Sequence, residues 1–226
     1  MTTSEIPKVI YHVSIEDNTC KDKRSCIDSW LQEIKNNNLK DYTHKFWSQL
    51  DMLDYVTSRY PHLLDFYTSL PCFIYRYEGF KILVLCKDGG IFVDPDIRLL
   101  DTTAFLHHVK ADIFILELYK SIFTGIMGSC ANHELFKSLV DFITKIASGE
   151  TLSAIENGLK CKFSSIGPTF LTAFIKEKNM IGVVTKDKDI LSFLCPMDKV
   201  EAPGGSERKY SIMWDWKNCC INYCGN

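Results

Sequence analysis

The stretch from Phe73 to Asp96 leaves this chain the fewest options, because its residue pattern changes three times in quick succession. Helical spacing from 73 to 86 stops ahead of Gly89-Gly90, the apolar run Ile91-Phe92-Val93 follows, and Asp94-Pro95-Asp96 ends it. Glycine takes the positive φ that closes a helix. A short β-branched and aromatic run between turn residues reads as a buried strand. Proline has no amide hydrogen and cannot continue a central ladder, so the strand must exit there. A helix joined tightly to a buried strand is the unit of an α/β protein, whose ligands gather at the carboxyl ends of its strands.

Two carboxylates stand at that exit. Side chains alternate along extended backbone, so Asp94 and Asp96 are predicted on one face with Pro95 turned away. Acids this close repel each other and any phosphate unless a hard cation sits between them, which points to Mn²⁺ or Mg²⁺ holding a diphosphate. The alternative is a solvated acidic turn after a buried strand.

The 226 residues are 46% hydrophobic and 24% charged, enough for one substantial core. A net charge of −2 without a basic stripe argues against a nucleic-acid partner. No run approaches the roughly 20 apolar residues of a membrane span, so no integral membrane segment is expected. The start, residues 1–8, has no apolar signal core, and the reading is a cytoplasmic protein, although a luminal one separated from its anchor would look the same. Cys72, Cys86 and Cys130 sit in apolar or small-residue surroundings and read as reduced core residues. Cys219, Cys220 and Cys224 cluster late without the paired C-x-x-C spacing of a zinc site, and a disulfide there stays open.

Residues 7–13 predict a first strand, 25–36 an amphipathic helix through Ile27, Trp30, Leu31 and Ile34, and 43–47 a second strand. Helices are predicted over 51–60, 73–86, 134–146 and 167–178, and strands over 91–93, 112–118, 122–127 and 180–184. Residues 148–153 read as a polar linker and 201–210 as a turn-rich loop.

Ile6-Pro7-Lys8-Val9-Ile10-Tyr11-His12, Ser29-Trp30, Phe46-Trp47, Tyr60-Pro61 and Asp88-Gly89-Gly90-Ile91-Phe92-Val93-Asp94-Pro95-Asp96 follow one another along the chain. In that order they resemble the glycosyltransferases with a sugar-binding region containing a DXD motif. That group includes initiating α-mannosyltransferases, α-galactosyl- and α-N-acetylglucosaminyltransferases and, more remotely, clostridial glucosylating toxins. The resemblance is strongest from 70 to 100, and weaker at Gly128-Ser129 and Ile166-Gly167-Pro168. It implies a GT-A fold, a Rossmann-like mixed α/β sheet flanked by helices in one domain over 1–226. Residues 1–100 would form the nucleotide-sugar half, and 101–226 the acceptor half with a C-terminal lid segment.

The resemblance further implies a metal-dependent hexosyltransferase that retains the donor's anomeric configuration, with Asp94 and Asp96 as the catalytic pair. Metal ligands would be Asp94, Asp96 and Asp215, and donor contacts Tyr11, His12, Val13, Glu78, Lys81, Gly89, Gly90, Asp94 and Trp216. The family's Asp-x-x-Arg pair becomes Glu78 and Lys81, one helical turn apart. Lysine lacks the planar two-pronged contact of arginine, and the alternative is a surface ion pair. Trp216, with Trp214 and Asn218 near it, could instead be core packing, and His12 a satisfied core histidine. The donor is expected to be a UDP-sugar ahead of GDP-mannose, and the acceptor a hydroxyl of a glycan, protein or small molecule. Two other readings stay open. One is a haloacid-dehalogenase-like phosphatase using Asp94 and Asp96, which Arg98 and the central position of the strand disfavour. The other is a catalytically silent sugar-nucleotide or glycan-binding module.

Overall fold

The computed structural model describes residues 5–13, 21–118, 120–163, 167–184 and 194–196. Strand β1 (Val9–Val13), helix α1 (Lys21–Lys35) and strand β2 (Thr43–Trp47) form the predicted β-α-β opening, with β1 and β2 parallel from Val9 opposite Thr43 to Val13 opposite Trp47. The chain then runs through α2 (Gln49–Arg59), a 3₁₀ turn (Pro61–Leu63), α3 (Leu64–Ser69) and α4 (Phe73–Lys87) before β3 (Gly90–Val93) pairs parallel to the other side of β1. After β4 (Ile97–Leu99) and α5 (Thr102–His108), β5 (Ile113–Leu118) and β6 (Ser121–Ser129) make an antiparallel hairpin, and β6 docks antiparallel on β3. Helices α6 (Glu134–Ser148), α7 (Ala154–Phe163) and α8 (Pro168–Glu177) follow, and β7 (Leu194–Pro196) pairs with β4 in a separate two-stranded sheet.

The main sheet has the order β2-β1-β3-β6-β5, the expected mixed α/β architecture. Its two faces carry two cores. Tyr11, Val13, Phe92, Ile115 and Met127 meet α2, α4, α6 and α8 on one side, while Ile10, Ile91, Val93, Phe114 and Ile126 meet Trp30 of α1 and Phe105 of α5 on the other. Period-two alternation along each strand places these residues on opposite faces. Helix α4 is buried almost all round, from Tyr77 to Cys86, so its polar residues Glu78 and Lys81 enter the interior with it.

Cys26, Cys72, Cys86 and Cys130 are buried thiols outside any disulfide, as cysteines in apolar surroundings should be. Several expectations change. Residues 180–184 are not a strand but a 3₁₀ turn over Ile181–Val183, closed by the Val184 amide on the Ile181 carbonyl at 3.1 Å and entered through Asn179 at φ 54°. β-Branched content alone suggested extended backbone there. Helices α3 and α5 and strands β4 and β7 were not expected, since each is too short for periodicity to register, and α7, as long as the expected α8, was not expected either. For α7 a local signal existed. Ser153 Oγ accepts from the Glu156 amide at 3.2 Å and the Glu156 carboxylate accepts from the Ser153 amide at 3.0 Å, a capping box legible as Ser-x-x-Glu.

Candidate active site

Strands β1, β2 and β3 all run the same way, and the chain passes from β1 outward to β2 and then back across to β3. Their carboxyl ends, Val13, Trp47 and Val93, therefore share one edge at the point where the strand order reverses. A crevice opens at such a reversal. Asp94 is the first residue beyond β3. Its amide donates to the Gly125 carbonyl at 2.7 Å, and the Ile97 amide donates back to the Asp94 carbonyl at 3.1 Å. Residues 94–97 thus close as a turn, and the predicted strand alternation of Asp94 and Asp96 is corrected. Pro95 cannot donate, so extended pairing ends after Val93 and both acids project from one turn, each partly exposed.

Helix α1 clamps the exit from that turn. The Trp30 indole N–H donates to the Ile97 carbonyl at 2.9 Å, the Leu99 amide donates to Ser29 Oγ at 3.0 Å, and Arg98 Nη2 donates to Ser25 Oγ at 2.6 Å. The Ser29-Trp30 pair of the sequence pattern thereby acquires a physical task, fixing the strand that follows the two aspartates.

Glu78 and Lys81 do not form a surface pair, because both are buried, Lys81 completely. The Lys81 ammonium sits 2.7 Å from Glu78 Oε1 and 2.8 Å from Asp94 Oδ1, and donates to the Thr124 carbonyl at 3.0 Å. Three acceptors match its three protons. Tyr77, one turn before Lys81 on α4, donates its hydroxyl to the same Asp94 Oδ1 at 2.5 Å. Sequence reading overlooked Tyr77 and Thr124. Tyr77 stands four residues before Lys81, a spacing that shares a helix face and could have flagged it.

Burial is the largest influence on each ionisable group here. It raises Glu78 above the ordinary carboxylate range, against the opposing pull of Lys81. Burial also opposes the Lys81 charge, but Asp94 and Glu78 outweigh it and hold the ammonium above the usual lysine value. The Tyr77 hydroxyl is pushed well up by burial and then by Asp94. At neutral pH the arrangement is a charged lysine and a neutral tyrosine, both donating to the same oxygen of Asp94.

Among the described residues, no hydrogen bond or ion pair joins the other predicted donor residues Tyr11, His12, Val13, Gly89 and Gly90 to this cluster. Tyr11 is buried against Phe92 and Trp47 at ring distances of 5.7 and 6.0 Å, and Val13 is buried in the same core. His12 is wholly buried on the opposite face, with Nδ1 2.7 Å from His44 Nε2. Its own Nε2 has no partner among the described residues. Burial, reinforced by His44, pushes His12 down to about 3, and burial pushes His44 to about 4, so both imidazoles are neutral at pH 7.

Gly89 and Gly90 stand at the opposite end of β3 from Asp94, Gly90 about 13 Å away at about 3.3 Å per residue. A Cβ on Gly89 would come within 2.7 Å of the Ala131 amide, and one on Gly90 within 2.5 Å of the Tyr11 ring. The chain's own atoms account for both glycines. Trp214, Asp215, Trp216, Asn218 and the three late cysteines lie outside the described residues, as does the 201–210 loop.

Among the described residues no group of three His, Cys, Asp or Glu side chains converges to hold an ion. Asp94 and Asp96 nonetheless supply the hard carboxylate oxygens that suit Mg²⁺ or Mn²⁺, ions that commonly take one or two protein carboxylates and complete their shell with water and phosphate oxygens. Among the described residues, no helix is long and apolar enough to cross a membrane.

Residues 21–112 match the family described as "Glycosyltransferase sugar-binding region containing DXD motif". Over 151 residues the chain is 27% identical to inositol phosphoceramide mannosyltransferase 3 of Schizosaccharomyces pombe, a match covering 64% of this chain and 39% of that protein. Among solved structures it is similar to the PaToxG glycosyltransferase, with a TM-score of 0.49, 16% identity, and coverage of 80% of this chain and 71% of the other. The UDP-bound glycosyltransferase domain of the YGT toxin is similar at a TM-score of 0.40 and 10% identity, covering 76% and 57%. The Asp94–Asp96 turn, the α1 clamp and the Glu78/Lys81 helix all fall within the matched segment.

Proposed function

We propose that the chain is a glycosyltransferase that moves a hexose from a nucleoside diphosphate sugar to an acceptor hydroxyl, with retention at the anomeric carbon. The observation that carries this reading is the buried Lys81, which ties Glu78 of α4 to Asp94 at the carboxyl edge of the sheet. Apolar side chains of similar volume often serve as well as a buried ion pair, so this one is read as holding Asp94 in place. Asp94 and Asp96 would hold Mn²⁺ or Mg²⁺, which when bound supplies positive charge against the departing diphosphate oxygens. The chain's own contribution is to hold that carboxylate turn rigid through α1, β6 and Lys81. A UDP-sugar is the first expectation for the donor. GDP-mannose is the alternative raised by the name of the S. pombe relative.

Donor binding is tested by thermal shift with UDP-glucose, UDP-galactose, UDP-N-acetylglucosamine and GDP-mannose, each with and without Mn²⁺, because a ligand that binds only the native state raises its melting point. One of these donors should stabilise the chain, and more so with Mn²⁺. In the Asp96→Asn variant donor hydrolysis should fall by more than about tenfold, the effect of removing one directed charge interaction. A smaller loss at saturating Mn²⁺ would show that Asp96 is not part of the machinery.

A further inference from the structure

We infer that Tyr77 is a positioning residue for this site, its hydroxyl acting with the Lys81 ammonium to lock the Asp94 carboxylate so that one oxygen is left for the ligand. Both donors fall on Oδ1, Tyr77 at 2.5 Å and Lys81 at 2.8 Å, and among the described residues no donor reaches Oδ2. The Asp94 side chain is 21% exposed, and its second oxygen is not among the buried polar atoms left without a partner. A carboxylate held by one donor still swings about its last torsion, which is broad. Two donors arriving from different side chains remove that freedom. Preorganised groups of this kind give a site its precision.

Packing does not account for the hydroxyl. The Tyr77 ring stacks on Phe73 at 6.0 Å and an interplanar angle of 5°, meets Phe92 edge-on at 5.8 Å, and lies 4.5 Å below the Lys81 ammonium. A phenylalanine would keep all three contacts. A buried tyrosine hydroxyl costs stability unless it finds a partner, and the partner here is the first acid of the Asp-Pro-Asp turn. The sequence places this tyrosine one position before Glu78, on the helix that also carries Lys81, so a single rigid element delivers all three groups.

This role deepens the glycosyltransferase reading and rests on it. The test measures Mn²⁺-dependent donor hydrolysis, with whichever of UDP-glucose, UDP-galactose, UDP-N-acetylglucosamine or GDP-mannose stabilises the wild type, in Tyr77→Phe and in the packing control Phe92→Leu. In Tyr77→Phe the donor Michaelis constant should rise about tenfold, the usual weight of a hydrogen bond to a charged group, while the melting point moves by less than about 3 °C. Phe92→Leu touches the ring but not Asp94; it should melt several degrees lower yet keep its donor constant within about twofold. The role of Tyr77 is overturned by an unchanged donor constant in Tyr77→Phe, by an equal rise in Phe92→Leu, or by a Phe variant that no longer folds. A wild-type chain that neither binds nor hydrolyses any of the donors removes the glycosyltransferase reading itself. Wild-type turnover with an unchanged Tyr77→Phe constant removes only the assignment of Tyr77.

Discussion

Lys81 faces three acceptors and no water, with its side chain 0% exposed. Removing one partner of such a cluster is far more costly than never having built it, because the remaining charge stays buried. Lys81→Met should therefore lower the unfolding free energy by about 3–5 kcal/mol, read from chemical denaturation. A loss under about 1 kcal/mol would mean that Glu78 takes up a proton and absorbs the change. The position was legible in the sequence as a lysine three residues after a glutamate, but its burial was not. An i,i+3 pair looks the same on a solvated helix as on one enclosed all round, and only packing against the sheet separates the two.

The link from α4 to β3 shows how an element's end can be more constrained than its middle. Gly90 has a φ of +105°, and a Cβ there would sit 2.5 Å from Cε2 of the buried Tyr11 ring. Gly90→Ala combines backbone strain with overpacking, each about 1–3 kcal/mol. The melting point should fall by about 4–24 °C, two effects of about 1–3 kcal/mol each at the size scaling of roughly 2–4 °C per kcal/mol. Donor affinity of the folded variant should be unchanged, since Gly90 opens the strand that Asp94 closes. A weakened donor constant with an unchanged melting point would restore the glycine to the ligand site. The same strand shows where the backbone departs from expectation: alternation holds only while ladder bonds continue, and here β6 and the Ile97 amide close a turn, which still leaves Asp94 and Asp96 partly exposed and Pro95 buried.

At the scale of the molecule, the strand order β2-β1-β3-β6-β5 gathers the carboxyl ends of three parallel strands at one edge and sends the glycine turn to the other. The histidine pair on the far face makes this fold sensitive to acid. His12 is held down at about 3 and His44 at about 4, below the ordinary 6.5, so the folded state binds fewer protons than the unfolded chain between those values. Stability from this pair is complete above pH 6.5 and declines as pH falls toward 3. Glu78, raised by burial, acts in the opposite sense, losing its contribution as pH rises. Urea midpoints should fall between pH 7 and pH 5, and His12→Gln with His44→Gln should flatten that slope while leaving the Glu78 component. An unchanged slope in the double variant would show that both imidazoles titrate normally.

The α/β class, the opening β-α-β unit, the boundaries of β2, and the Asp-Pro-Asp exit were all local properties. Each depends on periodicity, a helix stop or a proline acting within a few residues. Spacing could have marked Tyr77 and the motif marked Trp30, but the partners of Tyr77, Thr124, His44 and Trp30 were not readable from the chain because they lie far along it: Asp94, Lys81, His12 and Ile97. Residue type and spacing dictate which backbone conformation a segment adopts and which of its faces is apolar. Which distant carboxylate a buried donor meets, and whether an ion pair is wet or dry, follows from how the sheet and helices close on one another, and that was settled only in three dimensions.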